Sequence, residues 1–210
     1  MYCILVTGIP AAGKSTIAKY IAEKLDIPMI SKDDIKELLF DDVGFQSREE
    51  KVKLGTASAS IMYYMAEQLM CHNQPFILEN NFENATRDGL NKILDKYSYK
   101  SITVTMTGDY RVIYDRFVER NNSVDRHRGH VVNDCYPEKE PSRVIEPMSY
   151  ESFEQAVVSR GMDAYFGNGP HILVDTTDFS SVDKNDIVNQ IIKQKERIED
   201  ESKKFSRTEI

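Results

Sequence analysis

The 210-residue chain is short of the features that mark several protein classes. It has no apolar run near the roughly 18 residues a membrane span needs. Its first residues, MYCILVTG, carry no basic stretch ahead of a long apolar one and read as a buried strand. Cysteine is scarce. Cys3, Cys71 and Cys135 lie far apart without CxxC spacing, which excludes a zinc ribbon and a disulfide framework and makes a reducing cytoplasm the expected setting. Positive charge is in deficit: 27 Lys and Arg against 34 Asp and Glu leave a formal net charge of −7. Binding to nucleic acid leaves a basic footprint, so the balance argues against it as the main partner. There is no internal repeat and no linker. One domain over residues 1–210 is expected, long enough to bury a core.

What is present is alternation. Short β-rich apolar runs at residues 2–7, 27–30, 76–78, 102–107 and 172–174 are separated by helical patterns at 15–25, 47–70, 85–97, 109–120, 150–166 and 183–203. Strands alternating with helices imply βαβ units and a parallel sheet, hence an α/β fold. Ser47 and Glu50 have the spacing of a capping box at the start of the longest helix. The last helix turns almost wholly polar over about 199–210, where fraying is expected. Residues 121–149 break the pattern, with Pro137, Pro141 and Pro147, many charges and little periodicity. A stretch this long without regular structure is usually functional or disordered.

Directly after the first run comes GIPAAGKST, residues 8–16. It satisfies G-x-x-x-x-G-K-[ST], a pattern expected by chance in roughly one 210-residue chain in a hundred. Gly8 and Gly13 permit backbone shapes in which the N–H groups of Ala11, Ala12, Gly13, Lys14, Ser15 and Thr16 converge on phosphate oxygens. Lys14 would reach the β- and γ-phosphates, Ser15 would hold Mg²⁺, and the helix that starts here adds its dipole. The expected ligand is a nucleoside triphosphate.

In a parallel sheet of this kind, residues just past the strand ends face the phosphates. Asp33 then stands where a carboxylate can take the proton of an attacking hydroxyl, with Lys36 one turn later. The alternative is that Ser31 or Asp33 merely caps a helix. Glu79, after the third strand, can support Mg²⁺, and Asn80 and Asn81 can orient an acceptor; the alternative there is turn chemistry.

Together GIPAAGKST, SKDDIK, LENN and an arginine-rich stretch after the fourth strand resemble the P-loop small-molecule kinases, most closely the polynucleotide-5′-kinase and zeta-toxin-like group. Chloramphenicol phosphotransferases and gluconate-type kinases resemble the chain more distantly. The likeness spans roughly residues 1–130 and the final strand and helix. It implies a P-loop NTPase fold, a five-stranded parallel sheet flanked by helices with an arginine-bearing lid, and ATP-dependent transfer to a hydroxyl. Asp33 matches the group's general base, Lys36 stands where arginine is usual, and Glu79 where aspartate is usual. The loop at 175–178 would lie against the adenine base.

Arg116 and Arg120 share one helical face, and Arg126 and Arg128 follow in DRHRGH. On the lid reading, Arg120 and Arg126 close on the phosphates and Arg128 assists; on the other, acidic neighbours neutralise all of them in a solvated loop. His127 and His130 make a poor metal site, since no thiolate is adjacent and arginines flank them. His171 reads as structural. The resulting expectation is a kinase that uses ATP and Mg²⁺ to phosphorylate a small-molecule hydroxyl. Its rivals are a nucleic-acid 5′-hydroxyl kinase and a nucleotide-dependent regulatory switch.

Overall fold

The computed structural model describes residues 1–140, 144–164 and 166–208. Its centre is a five-stranded parallel sheet made of β1 (Tyr2–Gly8), β2 (Met29–Ser31), β3 (Ile77–Glu79), β4 (Lys100–Thr107) and β5 (His171–Asp175), in the spatial order β2-β3-β1-β4-β5. The helices are α1 (Lys14–Leu25), α2 (Lys32–Val43), α3 (Arg48–Cys71), α4 (Asn84–Lys96), α5 (Tyr110–Asn122), α6 (Arg128–Val131), α7 (Tyr150–Arg160) and α8 (Lys184–Thr208).

All seven residues of β1 are buried, as a central strand covered on both faces requires. Its alternation divides the core in two. Tyr2, Ile4 and Val6 join one cluster with Ile17 and Ile21 of α1, Ile113 of α5, Phe153 of α7 and Ile187 of α8. Cys3 and Leu5 join the other, with Met62 and Ala66 of α3 and Leu90 and Leu94 of α4. Fully burying one such aliphatic side chain stabilises by about 1.5–3 kcal/mol. Helix propensities differ by about 0.7 kcal/mol or less among ordinary residues, so these faces hold the layers together. One face of β4 is polar yet buried. Thr103 donates to the Phe166 carbonyl (2.6 Å), Ser101 Oγ accepts from the Asn168 N–H (2.9 Å), and Thr105 Oγ1 lies 2.8 Å from Nε2 of His171. His171 thus has the structural role its position suggested.

The strands and the helices bounded from the sequence pattern match within a few residues; α2, for which the pattern set no bounds, runs over Lys32–Val43, and three further differences stand out. The helix expected over 150–166 stops at Arg160, because Gly161 adopts φ 65° and its N–H closes on the Val157 and Val158 carbonyls. The C-terminal helix continues to Thr208, through most of the stretch expected to fray; residues 209 and 210 lie outside the described ones. The third difference concerns the irregular stretch at 121–149, of which residues 141–143, and so Pro141, fall outside the described residues. Its earlier part packs on α2 and α3. Phe40, Phe45 and Val132 form a small third core, with Leu54, Tyr136 and Ile145 against it. Phe45 and Tyr136 exchange backbone hydrogen bonds of 2.8 Å as an antiparallel bridge. The Lys51 ammonium donates to the His130 carbonyl (2.9 Å), the Val132 carbonyl (2.5 Å) and Asn133 Oδ1 (3.1 Å). Burial lowers its pKa to about 7, but three acceptors require three hydrogens, so in this arrangement it is protonated.

Candidate active site

The loop leaving β1 takes a left-handed or otherwise positive φ at Gly8 (127°), Ala11 (67°) and Gly13 (88°). Such alternation turns successive N–H groups to one side. Two positions have no room for a side chain: a Cβ on Gly8 would lie 1.9 Å from the Met106 carbonyl oxygen, and one on Gly13 would lie 2.2 Å from the Phe179 ring. Ala12 is fully buried beneath the loop, while Ser15 and Thr16 are exposed in the first turn of α1. Lys14 is buried, with Nζ donating to the Ile9 carbonyl at 3.0 Å. Burial lowers its pKa to about 8; Glu79 and Asp33 oppose that shift, while Arg120 and Arg126 add to it.

Ser31 resolves the question left open at the start of α2. Its Oγ accepts the Asp34 N–H (3.3 Å) as the N-cap and donates to Glu79 Oε2 (2.8 Å). Ser31 therefore caps the helix and positions Glu79, and Asp33 is left to face the cleft, open to solvent at its edge though protein surrounds it. Burial works against the Asp33 carboxylate, but positive charge outweighs it. His130 first, then Lys36, Arg126 and Lys14, hold its carboxyl below the ordinary range, so it is ionised at neutral pH. Burial pushes the Glu79 carboxyl up, against the pull of Lys14 and the Ser31 hydroxyl.

The arginines divide. Arg120, at the end of α5, and Arg126 both carry a buried Nε with no hydrogen-bond partner among the described residues. Burial lowers the Arg120 pKa to about 10, helped by the neighbouring Arg126. Burial also lowers the Arg126 pKa, and two such guanidinium groups beside Lys14 form a site that favours an anion. Arg128 was expected on the phosphates too. Glu138 takes it up instead: Nε and one terminal nitrogen each make a 2.7 Å bond to the carboxylate, whose two oxygens match the planar fork. Arg116 donates twice, at 2.5 Å, to the Thr176 and Thr177 carbonyls, and so fastens the loop after β5 to α5.

Lys36 lies over the Phe40 ring, 5.4 Å from its centre, and beside Gly55. Asn81 points its amide at the Met162 sulfur (3.9 Å) and its carbonyl accepts from Thr7. The Nδ2 of buried Asn80 has no partner among the described residues. His127 and His130 engage carboxylates on α2, Asp41 at 3.1 Å and Glu37 at 2.9 Å, and Gly129 between them sits on Phe40. Among the described residues no group of three or more His, Cys, Asp or Glu could hold a metal ion by itself. Sequence reasoning missed Glu37, Lys51 and the double role of Ser31. Only Glu37 left a trace, four residues after Asp33 on one helical face.

The AAA_33 model, an AAA domain, matches residues 3–134. No curated protein matches the chain. Among solved structures, a provisionally assigned kinase from Chloroflexus aurantiacus J-10-fl is 25% identical, with a TM-score of 0.74 over 92% of this chain and 97% of that one. A sugar kinase from Janibacter sp. HTCC2649 is 11% identical, with a TM-score of 0.56 over 93% of this chain and 95% of its own. A shikimate kinase from Bacteroides thetaiotaomicron is 15% identical, with a TM-score of 0.52 over 93% and 98%. At those two identities the likeness is one of fold.

Proposed function

Because the chain belongs to the AAA_33 family of AAA domains, we propose that it is a kinase that transfers the γ-phosphoryl group of ATP to a hydroxyl of a small molecule. One observation carries the reading. Lys14, Arg120 and Arg126 converge beside Asp33, and both guanidinium groups keep a buried Nε that has no partner among the described residues. A polyanion is what such a cluster lacks. The similarity to a provisionally assigned kinase at 25% identity supports the same reading.

In this scheme Lys14 and the loop N–H groups bind the β- and γ-phosphates. Asp33 accepts the proton as the acceptor oxygen attacks phosphorus and the bond to the ADP oxygen breaks. Arg120 and Arg126 stabilise the charge that spreads over the moving group. Lys36 and Asn81 would contact the acceptor. The donor set fits Mg²⁺, which prefers oxygen and needs few protein ligands when phosphates share it. Ser15 at the start of α1 and Glu79, fixed by Ser31, would hold it. Bound there, the ion would offset phosphate charge.

The test is ATP consumption against a library of sugars, nucleosides, nucleotide sugars and aminoglycosides, with mass detection of the phosphorylated product. Asp33→Asn should leave nucleotide affinity within about twofold and lower transfer by about a hundredfold or more. Unchanged turnover in that variant would remove Asp33 from the mechanism. Absence of product across the library, together with hydrolysis stimulated by a protein partner, would favour a switch.

A further inference from the structure

Glu37 sits one turn after Asp33 on α2, and a single one of its oxygens serves two groups. Oε1 lies 2.9 Å from His130 Nε2 and 3.9 Å from a terminal nitrogen of Arg126. A carboxylate only accepts, so Nε2 of His130 is the protonated nitrogen. The imidazole is well seated: its side chain is 8% exposed, its ring meets Phe40 edge-on at 5.6 Å, and the preceding Gly129 lies so close to Phe40 that a Cβ would come within 2.4 Å. Arg126, by contrast, is held loosely. Its contact with Glu37 is beyond hydrogen-bond length, and its Nε has no partner among the described residues. Unoccupied, the Glu37 carboxylate would match the guanidinium fork and take it in a bidentate pair, as Glu138 takes Arg128.

We propose that His130 is a positioning residue that occupies Glu37 and so keeps Arg126 available for the γ-phosphate. The inference rests on the kinase reading and deepens it. The imidazole acts through Arg126 and makes no contact with nucleotide itself. It explains why a histidine inside an arginine-rich stretch is buried against a carboxylate that the reaction does not otherwise use.

The experiment is calorimetric titration of the full chain with Mg·AMPPNP and, separately, Mg·ADP, which differ in the γ-phosphate position. Arg126→Ala gives the preference that remains without the guanidinium. His130→Ala should lose about tenfold of the wild-type preference for AMPPNP, a typical effect of one charge-assisted hydrogen bond, and so approach Arg126→Ala. Adding Glu37→Gln to His130→Ala should restore the preference, because the amide no longer traps Arg126 as a charged fork. His130→Gln, whose amide can still donate to Glu37, should stay near wild type and serves if the alanine variant does not fold. A preference that survives in His130→Ala, or a loss that Glu37→Gln fails to repair, overturns the proposal alone. Wild-type protein that binds neither nucleotide overturns the kinase reading and this inference with it.

Discussion

Lys14 is the cation of the candidate site whose charge burial weakens most directly. Burial leaves its pKa at about 8 in the nucleotide-free protein, against an ordinary 10.5. The sign follows directly. Phosphate oxygens favour the ammonium, so nucleotide raises that pKa and binding takes up a proton once the pH exceeds about 8. Affinity for Mg·ATP should therefore be nearly flat below pH 7.5 and fall as pH rises through 8, by up to about tenfold per unit. Titrations between pH 7 and 9.5 would show it, and Lys14→Met should bind weakly with no such slope. A slope that persists in Lys14→Met would assign the proton elsewhere. For stability the same shift has the opposite consequence. Below pH 8 the folded state carries a buried charge at a cost, and that cost disappears as pH rises towards 10.5. At this scale the sequence was readable where spacing constrains chemistry, as in GIPAAGKST, and unreadable where contact alone decides. Nothing in SKDD distinguishes Ser31 as the cap from Asp33 as the cap until Glu79 arrives from β3.

Helix α2 organises the cleft. One stripe of it carries Asp33, Lys36, Glu37, Phe40 and Asp41 at spacings of one, three and four residues, near Lys14 at its start and the arginine-rich stretch at its end. Gly129 packs against the Phe40 ring with no room for a Cβ, which gives a test. Gly129→Ala needs space that the Phe40 ring fills, so the alanine should push the 126–130 stretch off α2. Overpacking of this kind costs about 1–3 kcal/mol. The sheet has its own core and should stay folded. ADP affinity should be retained while turnover drops by about tenfold or more, through displacement of Arg126. Steady-state kinetics and ADP titration on the same preparation would check this; equal loss of both would mean that the phosphate loop itself had moved. The stretch at 121–149 looked featureless in sequence for a physical reason. Its earlier residues rest on Phe40, Phe45, Val132 and Tyr136, partners scattered over nearly a hundred positions with no helical or strand period.

For the molecule as a whole, charge is distributed against the average: the net balance is −7, yet cations line the cleft. Steering by net charge opposes long polyanions, while a local cluster can still hold a small one. Short single-stranded oligonucleotides should give no salt-sensitive mobility shift. A tight one, lost between 50 and 200 mM salt, would redirect the acceptor assignment to a nucleic-acid 5′-hydroxyl. The α/β alternation was plain from the outset because fully buried parallel strands read as short apolar runs between amphipathic helices. The strand order was not, since nothing local says that β1 lies between β3 and β4. That placement has a consequence for how the chain is made. Ile4 pairs with Ile77 and Tyr2 with Lys100, and the Ile9 amide rests on the Met106 carbonyl. At about 5–20 residues per second of synthesis, the phosphate loop leaves the ribosome roughly five to twenty seconds before its supports exist. The loop is therefore supported only after β4 has emerged, and acquisition of nucleotide affinity should mark the assembled sheet.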